Sequence, residues 1–255
     1  MTDQNARVLD QFSQQAQAYS ALVTSTGAHS KDPLIEALSP RPTDHLLDVG
    51  CGSGQFAIAV APLVAHVTGA DLTPAMLDEA RAQQAGAGLT NIAWLQADST
   101  ALPVADGSFD IVVSRSMFHH AADPAATLAE MRRACTVGGR IAVMDLTPAP
   151  AKAPAFDAIE LLRDPSHRSA LTADELRALG GGLGLTETLV RARVTSLPLE
   201  MVLATSFPAD GMLDHVRALY ARDADTGADA FGMDTQWKDG AIWVTYPMTL
   251  VVWQR

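Results

Sequence analysis

The stretch Leu46-Leu47-Asp48-Val49-Gly50-Cys51-Gly52-Ser53-Gly54 decides the fold of this 255-residue chain. An apolar run ends in an acid, and three alternating glycines follow before Phe56 to Leu63 take up a helical pattern. Glycines between a strand and a helix let the backbone turn tightly and bring main-chain atoms against a ligand with no Cβ in the way. Downstream the alternation repeats: Val67 to Asp71, Pro74 to Gln84, Ile92 to Gln96, Phe109 to Val113, Pro124 to Ala134 and Arg140 to Asp145. Short apolar runs alternating with helical patterns predict a parallel sheet with crossover helices, a doubly wound α/β domain.

Upstream, Val8, Phe12, Ala16 and Tyr19 recur at helical spacing, and a second short helix starts near Asp32-Pro33, so residues 1–42 read as an N-terminal helical cap. The main domain then covers 43–255, with a cofactor-binding core at 45–146 and a substrate-side part at 155–255. Between these parts, Thr147 to Pro154 is a Pro/Ala connector. Helical segments follow near Ala155 to Leu162 and Thr172 to Leu179; Thr172 and Glu175 open the second as a capping box, and Gly180-Gly181-Gly182 is expected to end it. Leu185 to Val194 and Ile242 to Trp253 carry strand residues, with a helical stretch around Met212 to Tyr220 between them, and are expected to pair at one sheet edge.

The net charge is −11, which repels a polyanion, so nucleic acid is a poor partner. The first ten residues lack the basic and apolar regions of a signal peptide, and no run of 18 apolar residues follows, so a cytoplasmic location with no membrane contact is expected. Two cysteines, Cys51 and Cys135, supply neither a disulfide framework nor metal-ligand spacing.

Two ligand readings of the glycine loop compete. A dinucleotide fingerprint needs its third glycine where this chain has Gln55. A carboxylate at Asp48 would repel a pyrophosphate but attract the ammonium and sulfonium of S-adenosylmethionine. Asp71 ends the next strand, suited to accept from ribose hydroxyls, and Asp98 with Ser99 ends the third, suited to the adenine edge. Cys51 reads as a small residue of the loop rather than a nucleophile, because no base partner accompanies it.

The segments LLDVGCGSG, GADLTPAMLDEAR, QADSTALPVADGSFDIVVSRSMFHH and DPAATLAEMRRACTVGGRIAVMDL, within residues 46–145, resemble a class I S-adenosylmethionine-dependent methyltransferase of the ubiquinone/menaquinone C-methyltransferase-like subgroup. The resemblance implies a Rossmann-like seven-stranded sheet, mostly parallel with an antiparallel last strand. It further implies that Gly50, Gly52 and Gly54 line the methionine portion of the cofactor, Asp71 the ribose, Leu72 and Met76 the adenine surroundings, and Asp98 with Ser99 the adenine edge. Ser114, expected just past the fourth strand, would hold the amino group through its backbone. Thr136-Val137 stands where the subgroup has lysine-proline before its glycine pair, a departure from the quinone enzymes. Tyr19 and His29 of the cap are candidates to close over the site.

Methyl transfer from a sulfonium asks the protein mainly to align the acceptor and exclude water. Where the acceptor atom needs deprotonation, imidazole has a suitable pKa, and Met117-Phe118-His119-His120 follows the fourth strand, making His119 and His120 the candidate catalytic bases. His167 is a weaker candidate, expected in a surface loop. No metal is required. Trp237, Trp243, Trp253 and Met233 could line an apolar substrate pocket or belong to the core. The expected activity is methyl transfer to carbon or oxygen of a small organic molecule. The alternative is a protein that binds the cofactor without transfer, cyclase-like or a binding module. The oligomeric state is open, a homodimer included.

Overall fold

The computed structural model describes residues 2–26 and 32–255; for Tyr19 and residues 21–26 the backbone alone is described. The candidate side chain of Tyr19, and His29 altogether, lie outside the described residues. Helix α1 (Asp3–Thr26) and α2 (Pro33–Leu38) precede β1 (His45–Val49), α3 (Gln55–Val60), β2 (His66–Asp71), α4 (Pro74–Ala87) and β3 (Ile92–Gln96). Then come β4 (Phe109–Arg115), α5 (Pro124–Ala134), β5 (Cys135–Leu146), α6 (Ala153–Arg163), α7 (Ala173–Gly182), β6 (Thr186–Pro198), α8 (Leu199–Leu203), α9 (Met212–Thr226), β7 (Gln236–Lys238) and β8 (Ala241–Gln254).

The sheet order is β3-β2-β1-β4-β5-β8-β6. The first five strands pair in parallel, and β8 runs antiparallel between β5 and β6. This is the parallel sheet that the alternation predicted, with the antiparallel end that the resemblance implied. Because successive strand residues face opposite ways, Leu46, Ile111 and Ala142 meet α2 and α3 on one face, while Leu47, Val112 and Val143 meet α5 and α7 on the other. A third cluster, with Phe156, Ile159, Val216, Tyr220, Met233 and Tyr246, packs α6 and α9 beside the far half of β8.

The structure adds a short eighth strand, β7, which pairs Lys238 with Ala241. Asp239 and Gly240 between them both have positive φ, 51° and 78°, the signature of a two-residue hairpin turn whose twist suits antiparallel strands. The α8 turn was also not anticipated.

The glycine run does not end α7 where expected. The helix continues through Gly182, and Gly180 is buried inside it. A Cβ on Gly180 would come within 2.3 Å of Trp253 Nε1, so the missing side chain lets α7 lie directly on the buried indole of β8. Gly181 faces open space. Opposite signs are therefore expected for two alanine substitutions. Gly180→Ala overpacks the core and costs about 1–3 kcal/mol; Gly181→Ala gains up to about 1 kcal/mol of helix propensity. Thermal melting of both variants checks this, and equal shifts would rule out the packing explanation.

Helix α1 has an unusual inner face. Its buried residues include Gln4, Asn5, Gln11, Gln15 and Ser20, with Ala16 the apolar one, while Val8 and Phe12 are half-buried. Gln4 Nε2 donates to the carbonyls of His120 (3.0 Å) and Ser166 (2.6 Å), and Asn5 Nδ2 donates to Asp98 Oδ2 (2.6 Å). Gln83 of α4 donates to Ser20 Oγ. Over its described side chains α1 is thus fastened to the main domain largely by amides, whereas α2 is held by the buried Leu34, Ile35 and Leu38.

Candidate active site

A cleft of about 1080 Å³ lies across the carboxyl ends of β1, β2, β3 and β4, the edge where open α/β sheets hold ligands. Its wall includes Gly50, Cys51, Gly52 and Asp48 from the glycine loop, Asp71, Leu72 and Met76 from the second βα unit, and Asp98 with Ser99 from the third. Val8 and Phe12 of α1 and Met117 and His120 of the loop after β4 complete it.

The glycine loop turns by using Ala70 as an anchor. The N–H groups of Gly50 and Cys51 both donate to its carbonyl, at 2.8 and 3.0 Å. Gly50 has φ of 71°, and a Cβ there would strike Met117 Cγ at 2.4 Å, so only glycine lets the loop pass under the cleft. Gly54 does not reach the cleft; it caps α3 and passes Trp94.

Asp48 is 1% exposed, and its Oδ2 has no partner among the described residues. Burial pushes its pKa up to about 7, with the Arg115 guanidinium opposing and Asp71 reinforcing the shift. Asp71 is also raised, by burial, although the N–H groups of Thr73 and Gly52 bond its two oxygens at 2.8 Å each and work against that. Asp98 is lowered: burial would raise it, but bonds from Thr100 and Asn5 outweigh the penalty. The Cys51 thiol is pushed up by burial and by the two aspartates, which leaves it unreactive.

Ser114 does not reach the cleft. Strand β4 continues through Arg115, pairing Ser114 with Val143, and Ser114 Oγ donates to the Val49 carbonyl at 2.8 Å. The residues that emerge at the sheet edge are Arg115, Ser116 and Met117. Arg115 was missed by sequence reasoning, as one cation in a long apolar strand. Its Nη1 donates to Asp32 Oδ2 at 2.5 Å, the N-cap of α2.

The two adjacent histidines separate. His119 Nδ1 sits 2.5 Å from Asp145 Oδ1, while Asp145 Oδ2 accepts from the N–H groups of Met117 and Phe118. Burial would lower the His119 pKa, but the Asp145 carboxylate outweighs it and raises the value. His119 does not line the cleft; His120 does. Burial, then the neighbouring His119 charge, pushes His120 down to about 4, so its imidazole is neutral at pH 7.

His167 is not a surface-loop residue: it is 1% exposed, and its Nε2 is 2.8 Å from Asp157 Oδ1. The structure places Trp253 and Met233 in the core and leaves Trp237 half-exposed. Neither they nor Trp243 border the cleft. Among the described residues no cluster of histidine, cysteine and acidic side chains is arranged to hold a metal ion, and no helix is long and apolar enough to cross a membrane.

Residues 47–143 match the family model described as a methyltransferase domain. It is 42% identical over 116 residues to the demethylmenaquinone methyltransferase of Deinococcus radiodurans, covering 44% of this chain and 47% of that protein. It is 38% identical over 130 residues to an uncharacterized protein of Mycobacterium tuberculosis, covering 51% of this chain and 47% of that one. The chain therefore spans about half the length of these curated relatives. In fold it is similar to the YcgJ protein of Bacillus subtilis, with a TM-score of 0.80 at 23% identity, covering 90% of this chain and 99% of that one.

Proposed function

We propose that this chain is an S-adenosylmethionine-dependent methyltransferase that acts on carbon or oxygen of a small organic molecule. The observation that carries the reading is Asp48 Oδ2, a buried carboxylate oxygen without a partner on the wall of the cleft. A buried acid in that state calls for a cation. Asp48 then faces the charged methionine end, Asp71 offers its carboxylate to the ribose hydroxyls, and Leu72, Met76, Asp98 and Ser99 surround the adenine. Arg115, bonded only to Asp32 among the described residues, keeps donors for a carboxylate.

The cofactor supplies a methyl group on a sulfonium, the carbon–sulfur electron pair staying with sulfur. Val8, Phe12 and Met117 exclude water from the cleft, and His120 receives the acceptor's proton at Nε2. A catalytic role for His119 draws no support from its position, because Asp145 holds it away from the cleft.

Titration calorimetry with S-adenosylhomocysteine, against NADH as control, tests the cofactor. Binding of NADH alone would sink the reading, and turnover with candidate acceptors separates transfer from binding without transfer. A pH series adds a signed expectation. An acid whose folded pKa is raised favours the fold at acid pH, and that contribution is lost as pH rises through about 7. The cationic ligand takes the ionised form, so affinity for S-adenosylmethionine is expected to rise up to about tenfold per unit toward pH 7 and then level. Asp48→Asn should flatten the profile; an unchanged slope would remove Asp48 from the binding site.

A further inference from the structure

The geometry points to Ser166, held by Asp164 and Gln4, as a positioning residue that fixes His120 in the tautomer with its proton on Nδ1 and its lone pair on Nε2. The functional use of that lone pair rests on the reading of His120 as the base; the tautomer itself does not.

His120 Nδ1 lies 3.0 Å from the Ser166 carbonyl oxygen and 3.1 Å from Ser166 Oγ. A carbonyl oxygen can only accept. The hydroxyl is committed elsewhere: Ser166 Oγ donates to Asp164 Oδ1 at 2.6 Å, and that oxygen also takes the Ser166 N–H at 2.8 Å. Burial would raise the pKa of Asp164, but the Arg163 guanidinium and the two bonds from Ser166 oppose it and lower the value, so this carboxylate is ionised and acceptor-only. Both Ser166 oxygens therefore present lone pairs to Nδ1, and Nδ1 carries the hydrogen.

A neutral ring with its proton on Nδ1 has a bare Nε2. Gln4 holds the arrangement from the other side, donating to the carbonyls of Ser166 and His120 together. The remaining neighbours agree with a neutral ring: His119 lies 4.1 Å away between centroids, His167 6.4 Å away, and Phe12 stands edge-on at 5.0 Å. Asp164 is thus the acid facing His120, through Ser166, and it orients the ring without bonding it. Neither Asp164, Ser166 nor Gln4 borders the cleft.

Histidine-labelled protein without cofactor, studied by nitrogen NMR at neutral pH, reads the tautomer directly, with His120→Gln used to assign the signal. The expected spectrum has the proton on Nδ1 and a bare Nε2. In Asp164→Ala the Ser166 hydroxyl is freed to donate, and the His120 signal is expected to shift toward a mixture with the Nε2-protonated form while the His119 signal stays in place. A proton on Nε2 in the unaltered protein, or an unchanged tautomer in a folded Asp164→Ala, overturns the inference. If Asp164→Ala does not fold, the tautomer of the unaltered protein decides the inference alone. Failure of S-adenosylhomocysteine to bind would remove the catalytic use of Nε2 and leave the spectrum as the judge of the tautomer.

Discussion

Asp71→Ala is expected to weaken S-adenosylhomocysteine binding by about 100-fold or more. A hydrogen bond to a charged group contributes about 1.5–3 kcal/mol, and two ribose hydroxyls bonded to Asp71 together account for about 3 kcal/mol, which is two decades of affinity. The carboxylate is already aimed by its own backbone. Gly52 and Thr73 fix one oxygen each, so no rotamer freedom is lost on binding. Asp71→Asn, which keeps one acceptor oxygen, should fall between. Calorimetry measures both, and a loss below about fivefold in Asp71→Ala would show that the ribose lies elsewhere.

Glu160→Ala is expected to have the largest effect on stability. Glu160 is fully buried in the third core cluster and holds Arg163, whose side chain is 13% exposed. Tyr246 also donates to Glu160 Oε1, at 3.1 Å. Burial alone would raise the Glu160 pKa, but the Arg163 guanidinium keeps it low, so the pair is ionic. Removing the acid strands a buried guanidinium with Ser206 Oγ as a remaining partner, which costs about 3–5 kcal/mol. In a domain of this size that lowers the melting temperature by about 6–20 °C. Replacing both partners, as Glu160→Leu with Arg163→Met, should recover most of the loss, since no unpaired charge is then left behind. A single-variant shift under about 3 °C would contradict the account.

What was legible in the sequence was local. Asp48 and the glycines sit within seven consecutive residues, Asp71 ends β2 and Asp98 stands two residues past the end of β3, so spacing alone brought them to one sheet edge. The capping box at Thr172 and Glu175 was legible for the same reason, and both of its bonds form. The Asp239-Gly240 turn carried a signal that the reading passed over.

Other features were hidden because their partners are distant. Ser166 meets His120 across 46 positions, and Asn5 meets Asp98 across 93. Nothing in the run Met117 to His120 distinguishes His119 from His120; Asp145, at the end of another strand, does so by taking the first. Helix α1 was legible as a helix from the spacing of Val8, Phe12 and Ala16, whereas the amides that share its inner face, Gln4, Asn5 and Gln15, carry no periodic apolar signal.

That amide face makes α1 cheap to detach. Lifting an apolar helix from its bed exposes hydrocarbon to water, whereas the carboxamides of Gln4 and Asn5 exchange protein partners for solvent at a net cost of about 1 kcal/mol per bond. Neighbouring residues on this helix reach the two ends of the cleft, Asp98 at one and the His120 loop at the other. The Asp98 end and the His120 end of the cleft therefore share one stretch of polar fastening, and a change that loosens α1 at Gln4 and Asn5 is expected to affect both together.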